Sequence, residues 1–119
     1  MPAPQFIYHI ADNSSWLDQS DESVYSIDTL DTEGFIHCSR LEQLQSTLNR
    51  FFENREDICI LKIDTKQLHV PLIYEAADDG SGFFPHVFGP VRKSSITEVY
   101  NFPFDFINQD PQKADEQAP

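Results

Sequence analysis

Six consecutive residues in mid-chain, Ile58-Cys59-Ile60-Leu61-Lys62-Ile63, restrict the fold more than any other feature of this sequence. Ile58, Ile60, Leu61 and Ile63 run too continuously for a strand with one wet face, so the segment predicts a central strand covered on both sides. One cover is readable upstream. Ser39 and Glu42 form an S-x-x-E capping box, and Leu41, Leu44, Leu48 and Phe51 or Phe52 then recur at three- and four-residue spacing. That pattern predicts a helix with one apolar face packed on the core.

The remaining elements follow from shorter signals. Gln5–Ile10 predicts a first strand containing His9, and Asp12 to Ser15 offer N-caps for a short helix through Trp16 and Leu17 that ends near Ser20. Asp21–Glu33 reads as a polar loop able to flank a site. Phe35–Cys38 is a second apolar run. Leu72–Ala77 predicts a strand opened by Pro71, Phe83–Pro90 is an aromatic segment broken by Pro85, Gly89 and Pro90, and Ser95–Phe102 predicts the last strand. This order implies an α+β domain with a mostly antiparallel, aromatic sheet, where a doubly wound fold would need more helices.

Residues 1–107 make one domain on this reading, and 108–119, acidic and almost without apolar side chains, form a disordered tail. The formal charge of −12, with eight Lys and Arg against twenty Asp and Glu, argues against nucleic acid or an anionic membrane as partner. No window reaches the roughly 18 apolar residues of a membrane span, and Met1–Gln5 lacks the basic start of a secretory leader. The expected setting is cytoplasmic, so Cys38 and Cys59 are expected as buried free thiols.

Three of the four histidines, His9, His37 and His86, stand inside apolar or aromatic runs, while His69 reads as a surface residue. Each of the three alone is explained as well by a structural imidazole bonded to backbone, but three together suggest a site. Gly34–Ser39 brings His37 to the start of the capped helix, where an anionic group could sit, although Ser39 is explained by capping alone. Glu75 in Leu72–Ala77 faces away from Tyr74 and Ala76, and would handle protons or stabilise positive charge if that face lines a cleft. Phe84, His86 and Phe88 could wall a pocket for a flat ring, with core packing as the plain alternative. No phosphate loop, dinucleotide-binding glycine fingerprint, nucleophile elbow, H-E-x-x-H helix or C-x-x-C pair occurs.

In combination, Ile7-Tyr8-His9-Ile10, Trp16, Glu33-Gly34-Phe35-Ile36-His37-Cys38-Ser39, Glu42-Gln43, Leu61-Lys62-Ile63-Asp64, Tyr74-Glu75 and Phe84-Pro85-His86-Val87-Phe88-Gly89-Pro90 resemble the DUF952 family over about residues 5–102. Phe88 stands where that family commonly has tyrosine, and Tyr74 where it often has tryptophan. The family's fold is similar to the ADP-ribosyltransferase fold, a compact pair of small antiparallel sheets around a cleft with two or three helices. The resemblance implies NAD as the possible cofactor, His9 against the adenosine ribose and Glu75 as the catalytic glutamate. Combined with the residues above, it gives an expected site of Glu75, His37 and His86 for chemistry and His9, His37, Ser39, Phe84 and Phe88 for binding a small molecule or nucleotide. The expected activity is that of a transferase or glycohydrolase. Two other readings stay open: a metabolite-binding module without catalysis, and a hydrolase whose metal is held by His9, His37 and His86 with Glu75 activating its water.

Overall fold

The computed structural model describes residues 4–108. Its elements in chain order are β1 (Phe6–Asp12), α1 (Asn13–Asp18), β2 (Val24–Tyr25), α2 (Thr29–Thr32), β3 (Ile36–His37), α3 (Leu44–Phe51), β4 (Ile58–Asp64), β5 (Leu72–Ala76), β6 (Phe83–Val87), β7 (Val91–Arg92), β8 (Ile96–Asn101) and α4 (Asp105–Asn108). They build an α+β architecture of three small antiparallel sheets, ordered β1-β4-β8, β2-β7 and β3-β6-β5. No helix of the described residues is long and apolar enough to cross a membrane.

β4 is the central strand that its apolar run predicts, paired with β1 from Phe6↔Asp64 to Asp12↔Ile58 and with β8 on its other edge. Both faces are buried. Cys59 and Leu61 pack with Ala11, Tyr25 and Trp16, whereas Ile60 on the opposite face meets Tyr8, Leu44 and Leu48. The apolar stripe of α3 thus supplies the predicted cover through Leu44 and Leu48, with Leu41 in the turn before it. Phe51 is not part of that stripe: its side chain is 65% exposed, while Phe52 just beyond the helix is half-buried.

Several local expectations need correction. The helix is entered through a 3-10 turn, Leu41–Gln43, and Gln43 Oε1 accepts the Arg40 N–H at 2.8 Å. The cap therefore lies one residue later than the Ser39–Glu42 box, and Glu42 instead meets Arg40 Nε at 3.1 Å. Asp21–Glu33 is not simply loop, because it contains β2 and α2, and β2 pairs with β7 through Val24↔Arg92 and Tyr25↔Val91. The described residues hold three sheets and four short helices, where two sheets and two or three helices were expected. Asn108 closes α4, and the rest of the expected acidic tail, 109–119, lies outside the described residues.

Cys38 and Cys59 are buried free thiols, and burial pushes both up from the ordinary thiol range, Cys59 to about 11. If β4 is the central element, Leu61→Ala should lower the free energy of unfolding by about 2–5 kcal/mol, whereas Val99→Ala on the half-exposed edge strand β8 should cost less than about 1 kcal/mol. Equilibrium urea unfolding of the two variants measures this directly, and equal losses would overturn the assignment of β4 as the core strand.

Candidate functional site

Strand alternation makes the site. In the β3-β6-β5 sheet His37 is opposite His86, Ile73 is opposite His86 and Glu75 is opposite Phe84, so these five side chains share one face. The alternate positions Ile36, Val87 and Leu72 pack into the core on the other face. The polar face belongs to an open cleft of about 1380 Å³ lined by His37, Glu75, Phe84 and His86.

Two imidazole–carboxylate pairs stand on that face. His86 Nδ1 lies 2.7 Å from Glu75 Oε1, and His37 Nε2 lies 2.9 Å from Glu33 Oε1. A carboxylate accepts, so each bonded nitrogen carries the proton, and in the neutral ring the other nitrogen is a free acceptor. His86 Nε2 and His37 Nδ1 have no hydrogen-bond partner among the described residues. The two environments differ: the His86 side chain is 13% exposed and that of Glu75 44%, while both His37 and Glu33 are about half exposed. Gly34, at φ +90°, takes the chain from α2 into β3 in a conformation that favours glycine. It is followed by Phe35, which stacks on His86 at 4.0 Å and 12° and meets His37 edge-on at 4.8 Å. The His37 and His86 ring centres are 5.2 Å apart.

His9 plays a different part from the one its sequence context suggests. Its Nδ1 donates to the His37 carbonyl at 2.7 Å, which leaves Nε2 as acceptor for the Tyr25 hydroxyl at 2.9 Å. Both nitrogens are spent and the ring is buried, so His9 has no polar atom left for a ribose. Desolvation, partly offset by the bond to His37, lowers its pKa from 6.5 to about 4, so it is neutral at pH 7. The three histidines do not form one ligand set, and among the described residues no group of three His, Cys, Asp or Glu is placed to hold an ion. The metal-hydrolase reading loses His9 as a ligand on that geometry.

The other expected residues separate in the same way. Phe84 lines the cleft, but Phe88 does not; it packs against Phe35 at 5.2 Å, behind the wall it was expected to form. Ser39 lines the cleft yet is buried, with its Oγ 3.4 Å from Thr47 Oγ1 and its backbone bridged to Tyr8. Sequence reasoning missed Glu33, Phe35 and Tyr25. The four-residue spacing of Glu33 and His37 was a usable signal, whereas nothing local marks Tyr25.

A small α+β protein with paired His–carboxylate groups at the floor of an acidic, aromatic cleft is the class that these features define. Residues 10–99 match the family described as protein of unknown function (DUF952), and the chain belongs to that family. The fold is similar to the crystal structure of protein CC0527 from Caulobacter crescentus, with TM-score 0.70 and 27% identity over 79% of this chain and 82% of that one. It is equally similar to the solution NMR structure of CC0527, with TM-score 0.70 and 27% identity over 82% of this chain and 84% of that one. The chain matches no curated protein.

His9 makes a pH prediction with a definite sign. Above pH 6.5 the ring is neutral both folded and unfolded; between pH 6.5 and about 4 only the unfolded chain takes the proton, so stability falls across that window, by up to about 3 kcal/mol. His9→Asn, which keeps the donor to His37 but does not titrate, should show a flatter unfolding free energy across the same window. Equal slopes for parent and variant in urea unfolding would show that His9 is not the group responsible.

Proposed function

We propose that the cleft binds an NAD-type nucleotide or related N-glycoside and cleaves or transfers its glycosidic bond. The observation that carries this reading is the 2.7 Å pair of His86 and Glu75 on the cleft floor, beneath the ring of Phe35. Support also comes from the cleft itself, which has room for a nucleoside, and from the family resemblance, which implies a fold similar to that of ADP-ribosyltransferases, where a glutamate assists such a reaction.

The chemistry follows from the free atoms. Glu75 keeps one carboxylate oxygen for the substrate, and His86 Nδ1–H orients the other. As the bond from the sugar carbon to the base breaks, its electron pair leaves with the base, and the negative carboxylate stabilises the oxocarbenium-like centre. Water or an acceptor hydroxyl adds to that carbon and gives its proton to His86 Nε2, so that a new C–O bond replaces the C–N bond. Phe35 and Phe84, which line the cleft, take the ring-flanking role; Phe88, which does not line it, packs against Phe35. His9 contributes by holding the His37 backbone, not by touching the ligand.

The test follows binding of NAD by NMR and release of its base by chromatography. Glu75→Gln should bind NAD as the parent does and cleave it about 100-fold more slowly or less. Equal cleavage by the variant would remove Glu75 from the mechanism. A parent that binds NAD with no turnover in the presence of any acceptor would instead make the cleft a binding module without catalysis.

A further inference from the structure

The walls of the cleft carry a second kind of information, about charge. Eight carboxylate residues line it, against two arginines and no lysine. Both arginines are already engaged: Arg50 pairs with Asp79, and Arg55 with Asp12 at 2.7 Å and Asp57 at 2.9 Å. Hydrogen bonds from Ser81, and then from the Arg50 guanidinium, hold the Asp79 carboxyl well below the usual range, so that pair is charged on both sides. Asp28, Asp31 and Asp78 have no cationic partner among the described residues.

Independently of the acids, the cleft is walled by aromatic rings. Phe35, Phe51, Phe52 and Phe84 line it together with Tyr8 and Tyr25. Phe51 is 65% exposed there, so its ring is open to whatever enters the cleft. Two of these rings already attract cations: the Arg50 guanidinium lies 5.0 Å from the centre of Phe51, and that of Arg55 5.7 Å from the centre of Phe52. Aromatic faces with carboxylates around them are the chemistry that recognises a flat or quaternary cation. A diphosphate needs the reverse, free guanidinium or ammonium groups, and would meet uncompensated carboxylates here.

We infer that the cleft selects the cationic ribosyl-pyridinium half of its ligand and prefers a cationic nucleoside without phosphates to the intact dinucleotide. This inference rests on the N-glycoside reading above and narrows it. The positive ring sits among the phenyl rings and the free carboxylates of Asp28 and Asp31, with its sugar carbon towards Glu75. Leaving as the neutral base, it would lose the attraction that held it, so the same charge that binds the substrate favours release of the product.

The experiment is an NMR titration of the full chain with three probes: nicotinamide riboside, nicotinamide mononucleotide and NAD, each at low and at physiological ionic strength. The riboside is expected to bind about tenfold or more tightly than NAD at low salt, with the gap narrowing as salt screens the cleft. The shifts should fall at Phe35, His37 and His86. Asp28→Asn combined with Asp31→Asn, two exposed positions whose change leaves the core untouched, should weaken the riboside several-fold and not weaken NAD. NAD binding as tightly as the riboside, or a double variant that loses both ligands equally, would overturn the charge selection and leave the N-glycoside reading in place. No shift with any of the three at millimolar concentration would overturn both.

Discussion

Everything at the cleft floor depends on one buried imidazole. His9 belongs to β1 of the first sheet, its Nε2 accepts from Tyr25 of the β2-β7 sheet, and its Nδ1 donates to the carbonyl of His37 in the β3-β6-β5 sheet. One ring therefore ties three sheets, one of which, the two-stranded β2-β7, is too small to be stable alone. The neighbouring Tyr8–Ser39 bridge adds paired backbone bonds of 2.8 and 2.7 Å between the first and third sheets. Removing the Tyr25 hydroxyl would leave a buried imidazole nitrogen unpaired, at a cost of about 1–3 kcal/mol.

The same residue, His37, serves architecture with its backbone and the cleft with its side chain. Its carbonyl points back to His9, while its ring faces His86 and Glu33. The strand is two residues long, so the bond to its carbonyl helps to hold the backbone, while Glu33, Phe35 and His86 around the ring set the side chain. Phe35 completes the arrangement from the residue before β3. Stacked on one face of His86, it helps to bury that ring, while the Nε2 edge keeps no hydrogen-bond partner among the described residues and Glu75 stays 44% exposed.

How much of this could be read from the sequence varied with how local each signal was. The central strand β4 and the stripe of α3 were legible because burial on both faces and a 3.6-residue period leave marks within one segment. β2 and β7 were not, since two residues carry no period, and Tyr25, almost wholly buried, sits in a polar stretch whose pairing with Val91 is sixty-six positions away in sequence. The position of Glu75 on the cleft face is legible from alternation alone. His9 is expected at a ligand and instead bonds within the protein through both nitrogens, because sequence shows that an imidazole is surrounded by apolar residues and does not show whether its nitrogens meet protein or ligand. Phe88 differs from Phe84 because an aromatic run does not show where its strand stops: β6 ends at Val87, so the alternation that carries Phe84 and His86 to the cleft need not extend to Phe88.

The division of labour among the three histidines has a physical basis. Burial keeps His9 neutral, which suits a strut, because a ring that took a second proton would have to break its bond from Tyr25. His37 and His86 each sit beside a carboxylate with one nitrogen left open to the cleft, which suits proton transfer, because the carboxylate fixes the tautomer and supports the cation that forms. A strut that titrated would loosen the sheet junction whenever it took up a proton. Holding the architectural imidazole out of the titrating range while leaving the other two at the cleft surface separates the two tasks on adjacent strands of a very small protein.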